Sequence, residues 1–231
     1  MQKILYKCEY CNKDFKRENS LVVHLCVQKK RHMQQSDKDV QLGYRAYQLF
    51  YRIGSNSKKE KTYTDFAKSP FYAAFVKFGK YCIEVKIDDV TGFTTWLLVN
   101  AVKLDRWTHD ATFSGWVKER LRTESVDRAV ERTILSMQDW AEDREGTDWN
   151  TYFATVSPSL AVFHICSGKI SPWVIYASDD AQCLLDKLDG KQIAMIVDYI
   201  DPQYWQMRLK RKQEVVDLRW VGSILKQASI S

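Results

Sequence analysis

Long apolar runs and loops built for catalysis are missing from this 231-residue chain, and each absence excludes a class of protein. No run of about 18 apolar residues occurs, so we expect no membrane span and no membrane partner. The N-terminus leads at once into a cysteine motif, which leaves no space for a signal peptide. There is no glycine-rich phosphate loop and no nucleophile elbow, so we predict no catalytic residues.

Cysteine is also sparse, with six residues in the chain. Cys82, Cys166 and Cys183 stand singly in apolar surroundings, which is typical of buried thiols and not of a disulfide framework. This pattern indicates a reducing, intracellular compartment, either cytoplasmic or nuclear. The 45% apolar and 13% aromatic content indicates a globular protein of one or two domains.

Positive charge is concentrated at one end of the chain. Residues 1–62 carry 14 Lys and Arg against 6 Asp and Glu, whereas residues 63–231 carry 21 against 23. The overall net charge of +6 therefore comes entirely from the N-terminal quarter. Such a basic end beside a near-neutral body is expected of a segment that binds a polyanion. The alternative is a solvated basic face without a partner.

The N-terminal segment carries a metal-ligand spacing. Cys8 and Cys11 are separated by two residues, and His24 and His32 follow after further gaps of twelve and seven. This spacing suits a zinc site in which a short hairpin carries two thiolates and a helix carries the imidazoles. A module of this size cannot bury enough apolar area to fold alone, and metal binding would supply the missing stability.

The segment resembles the C₂H₂ zinc finger, whose aromatic-x-Cys-x2-Cys-x3-Phe-x5-Leu-x2-His pattern is met by Tyr6, Cys8, Cys11, Phe15, Leu21 and His24. The resemblance implies a ββα fold, Zn²⁺ as cofactor, and His32 as the fourth ligand after Cys8, Cys11 and His24. One departure is that the position one helical turn past His24 is Gln28. Because two helical turns span about 12 Å, the chain must leave the helix around Val27–Lys30 for His32 to return. Cys26 is the rival fourth ligand, and a segment without zinc is the remaining alternative.

The same resemblance implies which residues would face nucleic acid. Arg17 would bind a guanine edge, Ser20 and Val23 would be weak base readers, and Asn19 an auxiliary one. The phosphate contacts would be Lys13, Lys16, Lys29, Lys30 and Arg31. One finger covers about three base pairs, so the body adds contacts, the protein oligomerises, or binding is largely independent of sequence.

The rest of the chain is predicted to be mainly α, with α+β as the alternative. Residues 1–33 form the finger, 34–62 a basic helix and linker, and 63–231 a mainly helical domain. The polar loop at residues 54–61 is the best candidate linker. Around residues 160–177, β-branched and aromatic runs predict a small strand element, but the proline-started segments equally fit buried helices.

Function is predicted from the finger. We expect a nucleic-acid-binding protein, with DNA favoured over RNA, that acts as an accessory factor in transcription or replication. A single finger on an unfamiliar small body is also a layout of viral accessory proteins, which would place it in the host cell. The alternative is a protein-interaction adaptor or homodimer with a purely structural finger. A third hypothesis is a metal-dependent nuclease, although acidic pairs at helix ends are usually caps. Its candidate carboxylate pairs are Asp88 and Asp89, Asp179 and Asp180, and Asp198 and Asp201.

Overall fold

A computed structural model of the chain describes residues 5–54 and 60–231, and the described part is mainly α-helical. The predicted fold class is therefore confirmed. By its contacts the chain divides into two compact units, Met1–Thr112 and Phe113–Ser231. The predicted domain boundaries at residues 33 and 62 both fall inside the first unit. Residues 55–59 of the predicted linker lie outside the described residues.

The elements of the first unit begin with a short hairpin and continue as helices. In order they are β1 (Tyr6–Lys7), β2 (Asp14–Phe15), α1 (Glu18–Val22), α2 (Val27–Met33), α3 (Lys38–Gly54), α4 (Tyr63–Lys68), α5 (Tyr72–Glu84), α6 (Val90–Val99) and a 3₁₀ turn at Leu104–Arg106. The strands pair antiparallel, with Tyr6 opposite Phe15 and Lys7 opposite Asp14. This is the only sheet among the residues that the structure describes.

The elements that follow are helical throughout. They are α7 (Asp110–Thr123), α8 (Val126–Glu142), a 3₁₀ turn at Trp149–Thr151, α9 (Tyr152–Thr155), α10 (Pro158–Cys166), α11 (Pro172–Ile175), α12 (Asp179–Leu185), α13 (Gly190–Ile200), α14 (Pro202–Arg208) and α15 (Lys212–Gln227). None of the described helices is both long enough and apolar enough to cross a bilayer.

Residues 160–177 form helices and no strands. Helices α10 and α11 each begin with a proline at the first helical position, where its missing N–H costs nothing. Their runs of Val, Ile and Phe are apolar because both helices are largely buried. His164 in α10 is buried, and its Nδ1 lies 2.8 Å from the Tyr152 hydroxyl. His164 is therefore a core histidine whose ring is hydrogen-bonded.

Helices α3 and α5 cross in direct backbone contact. A Cβ added at Gly79 would lie 2.0 Å from the carbonyl oxygen of Asp39, and one at Gly43 would lie 2.5 Å from that of Phe75. Only glycine permits this approach. Around the crossing lies an aromatic core that includes Phe66, Phe75, Phe78, Phe93 and Trp107, all completely buried. The first unit therefore provides a rigid support for the metal-binding segment.

Candidate metal centre

The hairpin brings Cys8 and Cys11 together at its turn. The Cys8 backbone N–H donates to the Lys13 carbonyl at 2.9 Å, and the Asn12 N–H donates to the Cys8 carbonyl at 2.8 Å. Asn12 adopts a left-handed conformation with φ of 59°, which asparagine tolerates better than most residues. This tight turn directs both sulfurs to the same side of the hairpin. Cys8 is buried, with an exposed fraction of 3%.

His24 and Cys26 come from a short non-helical segment between two helices. Helix α1 ends at Val22, and Val23 is its C-cap. Residues 24–26 are not helical, and Cys26 has extended angles of −79° and 165°. Residues two apart in extended chain point to the same side. The imidazole of His24 and the thiol of Cys26 can therefore face the hairpin sulfurs together.

These four side chains form a group that could hold a metal ion. Their ligand atoms all lie within 4.8 Å of one another, and the Cys11 Sγ is 3.3 Å from the His24 Nε2. Tetrahedral zinc sites have sulfur–sulfur and sulfur–nitrogen separations of about 3.6–3.8 Å, from bond lengths near 2.3 and 2.0 Å. The separations in the group lie on both sides of these values, so small shifts of the side chains would fit the donors to a four-coordinate ion. No second such group is found among residues 5–54 and 60–231.

The thiols of the group influence one another. The backbone N–H of Cys11 holds the pKa of the Cys8 thiol below its ordinary value, against the opposing effect of burial. For Cys11 the backbone N–H of Lys13 acts in the same direction, but burial and the Cys8 and Cys26 sulfurs outweigh it and raise the pKa. Three thiolates this close repel one another unless a cation lies between them. The donor set therefore fits a divalent cation better than it fits three free cysteines.

The predicted fourth ligand, His32, is not a member of this group. The structure brings Cys26 into the group, and His32 lies in helix α2 with its ring 5.0 Å from that of Tyr10 and 5.3 Å from that of Tyr63. The reason is where the helix ends. We expected the chain to leave it around Val27–Lys30, but α1 stops at Val22, so the chain bends early enough to deliver Cys26.

Arg31 is also placed differently from its predicted role. Its guanidinium donates to the carbonyl oxygens of Ala67 at 2.7 Å and Ser69 at 3.3 Å, and lies 4.3 Å from the ring centroid of Tyr72. The Tyr63 hydroxyl in turn donates to the Arg31 carbonyl at 2.5 Å. Arg31 thus fastens α2 to α4 and the start of α5.

The other predicted nucleic-acid contacts differ in their exposure. Lys29 is half-buried, and its ammonium lies 3.4 Å from the His24 carbonyl oxygen. The exposed members are Lys13, Lys16, Arg17, Asn19, Ser20, Val23 and Lys30. Helix α1 carries Asn19 and Ser20, is flanked by Arg17 and Val23 as its caps, and with five residues is about 7.5 Å long. So short a helix presents few side chains to base edges.

Asp198 and Asp201, a carboxylate pair of the nuclease hypothesis, each form an ion pair with a neighbouring cation. Lys118 lies 2.7 Å from the Asp198 carboxylate, and the hydrogen bond and charge of Lys118 hold the pKa of Asp198 below its usual value. Arg122 pairs with Asp201, which also accepts from the Tyr204 N–H as the N-cap of α14. These carboxylates line an open cleft of about 510 Å³, but each is already compensated. Their geometry supports capping and ion pairing.

Comparison with family models, curated proteins and solved structures finds no match to this chain. What the metal centre does must follow from its own chemistry.

Proposed function

We propose that residues 6–33 are a zinc-binding module whose cationic surface binds nucleic acid. The observation that carries the proposal is the convergence of Cys8, Cys11, His24 and Cys26 on one point. Three thiolates and one imidazole form a soft donor set, which favours zinc over magnesium or calcium. Four protein ligands leave no open position for water, so the ion is structural and not catalytic.

Exposed cations surround this centre. Lys13 lies at the end of the hairpin turn, Lys16 and Arg17 directly precede α1, and Lys30 lies on α2. A zinc ion with three thiolates adds a net charge of about −1, which leaves the surrounding surface positive. Cations held on a rigid module bind phosphates without choosing a sequence. Duplex DNA is the first polymer to test, with RNA as the comparison.

A second candidate function is supported by the contacts of α2. Arg31, His32 and Tyr63 tie the metal-binding segment to the helices of the first unit. This is what a protein-interaction adaptor with a purely structural zinc site would show. Such an adaptor would not bind nucleic acid in a salt-dependent manner.

The two functions are separated by a mobility-shift titration with single- and double-stranded DNA and RNA. Four phosphate contacts predict a salt slope of about −3.6, and hence a loss of roughly 100-fold in affinity between about 50 and 200 mM salt. Chelation of the metal should abolish the shift. An affinity that does not respond to salt, or the absence of a shift with any polymer, would exclude the nucleic-acid function.

The matched variants exchange two exposed cations at each of two places. Lys16→Glu with Arg17→Glu should remove binding, whereas Lys210→Glu with Lys212→Glu, equally exposed on the second unit, should retain most of it. Arg31 is left intact because its loss would disturb the fold. Equal loss from both pairs would show a general charge effect and no binding face.

A further inference from the structure

An apolar ridge borders the metal centre. It consists of Val22, Val23, Leu25 and Val27, whose exposed fractions are 68%, 79%, 50% and 57%. The ridge is a consequence of the ligand geometry. His24 and Cys26 turn inward to the hairpin, so the residues that alternate with them turn outward. Val23, Leu25 and Val27 alternate with the two ligands, and Val22 adds to them from the end of α1. Four exposed aliphatic side chains within six residues of a metal-ordered segment are unusual for a surface with no partner.

The sequence around the ridge is strongly cationic. Residues 16–33 contain five Lys and Arg and a single acid, Glu18. Lys16 and Arg17 precede α1 and are exposed. Lys30 is exposed and lies three residues after Val27 in α2, so the two share a helix face. An aliphatic ridge is therefore flanked by cations on both sides along the chain.

From this arrangement we propose that the ridge inserts into the interfacial region of a lipid bilayer with anionic headgroups. This proposal replaces our expectation of no membrane partner, which rested on the absence of a membrane-spanning segment. A peripheral contact needs no such helix, so its absence among the described residues does not oppose the proposal. The proposal relies on the metal-ordered segment but not on nucleic-acid binding. The ridge would enter the acyl boundary while Lys16, Arg17 and Lys30 meet the headgroup charges.

Two other occupants fit the ridge less well. A second copy of the chain would bring two sets of like charges together around an apolar area of four small side chains. A partner protein would need a matching groove, and valine and leucine are under-represented among the residues that dominate protein interfaces. A fluid bilayer needs no shape match, and each cation near an anionic surface adds favourable energy.

The test is vesicle co-sedimentation of the full-length, zinc-loaded protein. The vesicles are pure phosphatidylcholine, or phosphatidylcholine with roughly a third phosphatidylserine. We expect binding to the anionic vesicles and little to the neutral ones. Leu25→Ser with Val27→Ser should lower the partition coefficient about tenfold or more, since two aliphatic side chains lose their transfer into lipid.

The matched control replaces two exposed aliphatic residues elsewhere in the first unit, Val99→Ser with Ile83→Ser, which are 72% and 42% exposed. Zinc content and circular dichroism confirm that each variant is folded. The ridge variant should keep its mobility shift with DNA, which separates failure of this proposal from failure of the nucleic-acid function.

Three outcomes would overturn the bilayer proposal. One is no binding of the wild-type protein to anionic vesicles. Another is unchanged binding after Leu25→Ser and Val27→Ser, which would mean adhesion by charge alone. The third is self-association that depends on the ridge, seen as a concentration-dependent mass in light scattering without vesicle binding, which would assign the ridge to a second copy.

Discussion

Exchanging the fourth ligand tests the metal centre most directly. Cys26→Ala removes a thiolate from a group whose donors all lie within 4.8 Å of one another. Structural zinc sites in small modules contribute roughly 10–16 kcal/mol in all. An equal share for each of four ligands is about 2.5–4 kcal/mol, or roughly a 100- to 1,000-fold loss of zinc affinity. The Cys26 sulfur also caps α2 by accepting from the Lys29 N–H, so some helix stability is lost as well.

His32→Ala is the matched variant, because His32 is the other candidate for the same position. In the structure its ring lies 5.0 Å from that of Tyr10 and 5.3 Å from that of Tyr63. Losing two aromatic pairs should cost about 1–3 kcal/mol of unfolding free energy. Zinc should remain bound at one ion per chain, with little change of affinity.

Zinc affinity is measured by competition with a chromophoric chelator, and the ligand set by substitution with Co²⁺. The thiolate-to-cobalt absorption of the wild-type protein should correspond to three sulfurs, and that of Cys26→Ala to two. His32→Ala should keep the wild-type spectrum. If His32→Ala loses the metal while Cys26→Ala keeps it, the assignment of Cys26 as ligand is wrong.

Two further predictions concern the support of the site, and a third concerns an ion pair in the second unit. Arg31→Ala should lower the unfolding free energy of the first unit by about 2–4 kcal/mol, because two charged hydrogen bonds and a cation–π contact are lost. The control Lys30→Ala should change it by less than about 0.5 kcal/mol, and both are measured by urea titration. Gly79→Ala should cost about 1–3 kcal/mol by the same assay, since its Cβ would overlap the Asp39 carbonyl, and Gly54→Ala, with open space around it, should not. Arg132→Met should lower the unfolding free energy of the second unit by about 3–5 kcal/mol, because the buried Glu124 carboxylate loses its bidentate partner. A loss no larger than that expected for removing an exposed charge would contradict this prediction.

The hairpin side of the metal centre was predictable because its signal is local. A tight turn between Cys8 and Cys11 is enough to direct both sulfurs, and Phe15 and Leu21 mark the module around them. The helical class was equally readable from periodic apolar positions. Segments such as Pro158–Cys166 were ambiguous, because a fully buried helix shows no alternation between polar and apolar residues.

The helix side of the centre depended on a helix end, which is the least certain element of any sequence interpretation. With α1 continued past His24, Cys26 points away from the hairpin; with α1 ended at Val22, it points toward it. The role of Arg31 was hidden for a different reason. Its partners are the carbonyls of Ala67 and Ser69, and backbone acceptors leave no mark on the sequence.

Helix α2 connects two sources of stability over seven residues. The Cys26 side chain caps its first turn. In its last turn, Arg31 and His32 contact the helices of the first unit. Chelating the ion should thus be felt well beyond the hairpin, as a lower melting temperature of the whole first unit. Conversely, a core substitution that loosens α4 should weaken the hold on the ion. The concentration of free metal would then set how stably the basic surface is held on the helices of the first unit.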